Sequence, residues 1–168
     1  SKIVTDPCAQ EYQSAARLPY RHRGKRKLVV EVSHGLGNRL RALSSAAALA
    51  KLSNRQLYVV WPRDIHLNAS IHDLYIVSEE QVFGRSFLQC AHKSRQYVLY
   101  DYLSNPKKES ERSKVQTHTR KHIYIRTAYR VIGTEPYNND MVRAALSSLR
   151  PSPTVLGFHN QMEKQLFA

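Results

Sequence analysis

The stretch that most constrains the fold is Lys27 to Trp61, KLVVEVSHGLGNRLRALSSAAALAKLSNRQLYVVW. Leu28 to Val32 is a β-branched, mostly apolar run of strand length. Gly35 and Gly37 break it, and Asn38 stands where a helix N-cap is expected. From Arg39 to Leu52 the alanine- and leucine-rich pattern puts Leu40, Leu43, Ala47 and Ala50 on one helical face. Ser53-Asn54 closes that helix, and Leu57 to Val60 forms a second apolar strand ending at Trp61-Pro62. Two buried strands joined by a helix make a βαβ unit, which requires a parallel sheet and a right-handed crossover.

The turn between strand and helix is where chemistry would sit. Ligands of open α/β sheets bind at the carboxyl ends of strands, and a helix N-terminus offers free N–H groups and a partial positive charge. Gly35 and Gly37 let the backbone approach a ligand, and Arg39 and Arg41 add charge, so a phosphate or diphosphate is the expected ligand. An ordinary strand–helix turn explains the same glycines. Leu40 takes the place of the third glycine of the dinucleotide fingerprint and no G-x-x-x-x-G-K-[ST] occurs, so neither an NAD site nor a P-loop is supported.

The run GLGNRLRALSSAAALAKLSNRQLYVVWPRD (Gly35 to Asp64), followed by IHDLY (Ile71 to Tyr75), resembles the N-terminal part of the fucosyltransferase-like glycosyltransferases. That group includes the protein O-fucosyltransferases and the nodulation-type α1,6-fucosyltransferase. The resemblance rests on Gly35, Gly37, Asn38 and Arg39, then Ala50-Lys51 with Arg55, then Trp61-Pro62-Arg63-Asp64; HIYIRTAYRVIG (His122 to Gly133) is similar to a later strand of the same domain. It implies a Rossmann-like αβα domain with a mainly parallel sheet, the N-terminal half of a GT-B enzyme. It implies a nucleoside-diphosphate sugar as donor, a GDP-sugar above all, and a glycan or protein hydroxyl as acceptor. No tightly bound cofactor and no metal are expected. The implied donor-binding residues are Gly35, Leu36, Gly37, Asn38 and Arg39. Asn38, Arg39 and Asp64 are the catalytic candidates, and His34, Trp61 and Asp64 are expected on the acceptor side. The family's H-x-R motif belongs to a second domain; His159-Asn160-Gln161 lacks its arginine, and Pro151 to Ala168 aligns better with the helix preceding it. The second domain is therefore expected outside these residues.

The chain begins at Ser1, as a fragment or processed form would, and shows no apolar run of signal-peptide or membrane-spanning length. Residues 1–26 read as a basic arm or stem, and 27–168 as the Rossmann-like domain. With 26 Lys and Arg against 13 Asp and Glu, the formal net charge is +13, which favours phosphate-bearing or polyanionic partners. Arg21 to Lys27, RHRGKRK, is either a polyanion patch or a solvated charge run. No nucleic-acid motif accompanies the charge, so specific nucleic-acid binding is not expected while non-specific polyanion binding is. A non-catalytic basic module, for nucleic acid or an acidic glycan, is the competing reading; an inactive truncated transferase is the third.

Cys8 and Cys90 either pair, as in a secretory lumen, or stand as independent thiols. Asn68-Ala69-Ser70 is a glycosylation sequon, and the secretory pathway is the expected setting, the cytoplasm its alternative. The eight histidines show no metal-ligand spacing and no G-x-S-x-G elbow occurs. Glu31, Asp64 and Asp73 are the carboxylates near strand ends, with Glu31 read as structural and salt-bridged. Further elements are expected as follows: a short strand or helix at Ile71 to Val77, an amphipathic segment from Glu79 toward Phe87, and a strand at Tyr97 to Tyr102. Beyond these lie an exposed loop from Ser104 to Lys121, a strand from His122 to Ile132, and helices from Asp140 to Leu149 and Thr154 to Phe167.

Overall fold

The computed structural model describes residues 25–78, 81–105, 112–134 and 136–157. The described residues form five strands: β1 (Lys27–Val32), β2 (Gln56–Val60), β3 (Val82–Phe83), β4 (Tyr97–Asp101) and β5 (His122–Thr127). The helices are α1 (Leu36–Leu52), α2 (Ile71–Leu74), α3 (Phe87–Lys93) and α4 (Asn139–Ser147). The strands form one sheet in the order β3-β2-β1-β5-β4, and every pairing is parallel. The fold is thus the expected Rossmann-like α/β architecture.

Strand alternation divides the core. Leu28, Val30, Val32, Val59, Ile123 and Ile125 face α1 and α4, while Val29, Tyr58, Val60 and Tyr124 face α3. The central strand β1 is buried on both faces, which is why it reads as a continuous apolar run. Crossovers β1→β2, β2→β3 and β4→β5 step in one direction across the sheet and pack Leu43, Ile71 and Val115 on the α1 face. Only β3→β4 steps back, and its helix α3 lies on the opposite face. All four therefore share one hand, as the twist of parallel strands requires.

Several boundaries differ from the sequence reading. Helix α1 starts at Leu36, three residues earlier than expected, because Gly35 is extended (φ −66°, ψ 166°) and serves as N-cap. Asn38 is inside the first turn, its N–H donating to the Gly35 carbonyl at 3.0 Å. Leu43 and Ala50 are buried as expected, but the buried surface also takes in Arg39, Ala42, Ala46 and Leu49, because α1 lies between the sheet and the 131–145 segment. Strand β5 ends at Thr127 rather than Ile132. The Thr127 hydroxyl accepts from the Tyr129 N–H (2.8 Å), closing a turn, and the Val131 N–H then binds the Ser45 hydroxyl on α1 (2.8 Å). Asn138, not Asp140, caps α4 by accepting from the Met141 N–H. The Ser70/Asp73 capping box decides the helix at Ile71. Cys8, Glu79-Glu80, His159 to Gln161 and the end of the last expected helix lie outside the described residues. Cys90 is disulfide-bonded.

The amino ends of the strands are gathered by Arg55, only 6 % exposed. Its guanidinium donates to the carbonyls of Lys121 (2.8 Å), Thr119 (2.7 Å), Thr117 (3.2 Å) and, at longer range, Lys27 (3.4 Å). On the other side of α1, Gly133 is glycine for want of space. A Cβ there would stand 2.5 Å from Leu49 Cδ1 and 3.0 Å from the Tyr137 ring. Gly133→Ala should therefore cost about 1–3 kcal/mol, the usual scale of overpacking, measured by urea unfolding; a neutral result would mean that α1 and the 131–137 segment are loosely packed.

Candidate functional site

The carboxyl ends of β1 and β2 are joined by one side chain. Arg39, on the first turn of α1, is fully buried. Its Nε donates to the His34 carbonyl (2.6 Å), one terminal nitrogen to the Pro62 carbonyl (2.6 Å), and the other to Asp64 Oδ2 (2.7 Å). The Trp61 ring lies 5.0 Å from the guanidinium carbon. A buried guanidinium is tolerable only when paired and hydrogen-bonded, and this one meets three acceptors from the two segments that leave β1 and β2. Burial lowers the Arg39 pKa, Asp64 opposes that and the nearby Arg85 adds to it.

Asp64 faces the other way as well. Its Oδ1 accepts from the N–H groups of His66 (2.9 Å) and Leu67 (3.0 Å), shaping the turn after β2. Burial is the strongest single influence on its carboxyl and pushes it up. The two backbone N–H groups, with the charges of Arg39 and His66, outweigh that and hold it below the ordinary carboxylate range.

The sequence reading placed Arg39 on the diphosphate and Asp64 and Trp61 on the acceptor. In the structure these three face one another. Arg39 has no exposed surface, Trp61 is 8 % exposed and donates its Nε1–H to the Ala69 carbonyl (3.0 Å), and Asp64 is committed to Arg39 and its own turn. Arg39 thus positions the site, and direct contact with a ligand would require the cluster to open. The reason is reach: from the first turn of α1, the arginine fits the gap between the β1 and β2 exits.

What the cluster leaves open is the backbone turn. Gly35 and Gly37 have open space where a Cβ would stand, so no neighbour in the protein requires glycine at either position. The N-cap provides no side-chain hydrogen bond, and the first turn of α1 holds no acid. Leu36 and Gly37 are exposed there, and the Asn38 side-chain oxygen accepts from the Arg41 guanidinium. His34 enters the turn in the left-handed region (φ 68°), a strained conformation for a residue with a side chain. Its ring stacks on His66 (centroids 5.1 Å apart, 10° between planes), and its Nδ1 is buried with no hydrogen-bond partner. A buried polar atom left unpaired at a strand's carboxyl end is the kind of exception that ligand sites carry. His66 is absent from the sequence-based site; no periodicity relates it to His34, and only the Asp64 turn brings it there.

Beside this turn, on the α3 face, Glu31 accepts from the Tyr124 hydroxyl (2.5 Å) and from Arg126 Nε (3.2 Å), and Arg126 reaches Asp101 (3.5 Å). Glu31 is thus salt-bridged, as read from the sequence. Asp73 serves the α2 capping box and lies 3.8 Å from Arg63. Among the described residues no group of three or more His, Cys, Asp or Glu side chains is arranged to hold a metal.

No family model, curated protein or solved structure matches the chain.

Arg39→Met should destabilise the domain by about 2–4 kcal/mol, because it leaves the His34 and Pro62 carbonyls and the partly exposed Asp64 without their partner; a loss under about 1 kcal/mol in chemical unfolding would show the cluster to be ornamental. The sign of the pH dependence follows from the lowered carboxyls of Asp64 and Asp101. Their stabilising contribution is complete above the unfolded carboxylate pKa of about 4 and is lost as pH falls through the lower folded values. Thermal stability should be level from neutrality down to about pH 5 and drop below about pH 4, with a shallower drop in Asp64→Asn.

Proposed function

We propose that the chain is the N-terminal, Rossmann-like domain of a nucleotide-sugar-dependent glycosyltransferase of the fucosyltransferase-like type. The observation that carries this reading is the turn at Gly35 to Asn38: an uncapped helix N-terminus with unfilled space around both glycines, held at the carboxyl ends of β1 and β2 by Arg39. Such a turn suits a diphosphate, whose oxygens accept from backbone N–H groups while the helix dipole favours their charge. In glycosyl transfer the bond from the anomeric carbon to the diphosphate oxygen breaks and the electron pair stays on the departing diphosphate. The acceptor oxygen bonds to that carbon and releases its proton. Donors aimed at the leaving oxygens lower the barrier by stabilising charge as it develops. In this reading the free backbone N–H groups of Leu36 and Gly37, with the Asn38 side chain and Arg41, act on the diphosphate, and His34 and His66 line the acceptor side.

Ile65, 97 % exposed at the tip of the Asp64 turn, and the exposed Leu36 give this edge apolar surface that a second domain would cover. Catalysis by these residues alone is not part of the proposal. Two features support a secretory lumen over the cytoplasm: the disulfide at Cys90 and the exposed Asn68 of the sequon.

Gly37→Ala separates stability from binding. At an exposed first-turn position with room for a methyl, alanine should stabilise the domain by about 0.5–1 kcal/mol through helix propensity. The same methyl would stand where the ligand approaches. Calorimetric titration with GDP, UDP and GDP-fucose should show saturable binding of one of them to the parent chain, weakened by Gly37→Ala and by Asn38→Ala. Absence of binding to all three, or binding indifferent to both substitutions, would contradict the proposal.

A further inference from the structure

The opposite edge of the sheet carries a different chemistry. Lys25 and Arg26 lead into β1, Arg95 precedes β4, and Arg120 and Lys121 precede β5; all five are exposed. Parallel pairing forces these starts together: β1 and β4 both flank β5, in the registers Leu28↔Ile123 and Tyr97↔His122. Hydrogen bonds draw the loops closer still. Arg26 donates to the Thr119 carbonyl (3.0 Å) and the His122 N–H to the Gln96 carbonyl (2.8 Å). His92 and Lys93, at the end of α3, are exposed just before β4.

The described carboxylates are elsewhere. Glu31, Asp64 and Asp101 stand at the carboxyl ends of strands, Asp73 is in α2 and Asp140 pairs with Arg143. Among the described residues no carboxylate forms an ion pair with Lys25, Arg26, Arg95, Arg120 or Lys121. Arg55, beneath this surface, is held by carbonyls alone, and its pKa is lowered by burial and then by the charge of Arg26. Among the described residues like charge is therefore concentrated at this edge with no carboxylate paired to it, and a multivalent anion would relieve the repulsion.

Beside the cations a cleft of about 420 Å³ is lined by Arg26, Ser53, Asn54, Thr117, His118 and Pro136. Hydroxyl and amide groups stand beside the arginine there, and Leu52 supplies an apolar wall. Among the described residues the tyrosine rings nearest this edge, Tyr58 and Tyr97, are buried and offer no face on which bases could stack. Among the described residues the large exposed apolar side chains, Leu36, Ile65, Ile76, Leu146 and Leu156, all lie outside these strand starts, so none of them serves as a bilayer anchor beside the charge. Cations for sulfate or carboxylate groups, with neutral hydrogen-bonding groups for hydroxyls, match an acidic polysaccharide.

We propose that the amino-terminal edge of the sheet is a binding site for an acidic glycan, sulfated or uronate-bearing, separate from the glycine turn at the carboxyl edge. The site does not depend on the transferase reading, since it uses none of the same residues.

The test is binding of the whole chain to a size-defined heparin oligosaccharide, compared between two triple variants that lose equal charge. R95S/R120S/K121S removes the edge; R85S/R143S/R150S removes three exposed cations elsewhere. The edge variant should weaken binding at least about tenfold at moderate salt, as expected when several ionic contacts are lost together, and the other far less. Heparin should also bind more tightly than a single-stranded oligonucleotide or phosphatidylserine-containing vesicles at equal salt. Amide shifts of the unsubstituted chain on adding heparin provide a readout independent of the variants' folding, and should centre on residues 25–27, 95–96 and 117–122. Equal weakening in both triples, tighter binding of the oligonucleotide or the vesicles, no saturable binding, or shifts centred on Gly35 to Asn38 would each overturn the proposal.

Discussion

The structure depends on the guanidinium of Arg39. It lies where β1 turns into α1 and where the chain leaves β2, and it holds both exits by hydrogen-bonding His34, Pro62 and Asp64 together. A lysine could not substitute, since a single ammonium cannot present a rigid planar fork to three acceptors in different directions. Removing the arginine would leave buried acceptors unmet, and it is this penalty, more than the attraction itself, that makes the cluster decisive. Arg55 does the corresponding work at the other end of the sheet with carbonyls alone. Buried arginines thus stand at both ends of the sheet, each donating to backbone carbonyls beside the strands.

This changes the meaning of the residues that carry the family resemblance. Arg39, Arg55, Trp61 and Asp64 are separated in sequence, yet in the fold three of them form one cluster and the fourth braces the opposite edge. Their spacing is that of a scaffold. The proposed chemistry falls instead to what the scaffold displays, a glycine turn with unfilled space and a strained histidine beside it. Strain of this kind persists only where surrounding packing over-determines it, and the Arg39–His34 hydrogen bond supplies that constraint.

The fold was legible where local pattern and burial agree. The apolar run of β1, the alanine-rich α1 and the Ser70/Asp73 capping box each announce their element, and the salt-bridged role of Glu31 followed from its place within a strand. The early end of β5 was not legible, because Thr127 terminates it with a side-chain turn in a sequence that still reads as apolar and branched. The start of α1 does not show in the sequence, because asparagine is a common cap whereas here Gly35 caps without a side chain. Charge and position in the sequence bring Arg39 and Asp64 to the carboxyl edge of the sheet, but only three-dimensional packing shows that they face each other. His66 could not be reached from sequence, since its partnership with His34 exists only through the turn built by Asp64.

The central claim is that buried arginine chemistry fixes a backbone turn that is left open for a diphosphate. The most direct measurement is the change in backbone amide resonances of the isotope-labelled chain as GDP is added. The account predicts saturable shifts at Leu36, Gly37 and Asn38, with the Arg39 Nε–H resonance retained because its hydrogen bond to His34 persists. Shifts confined to the basic amino-terminal edge, or none at all, would contradict it.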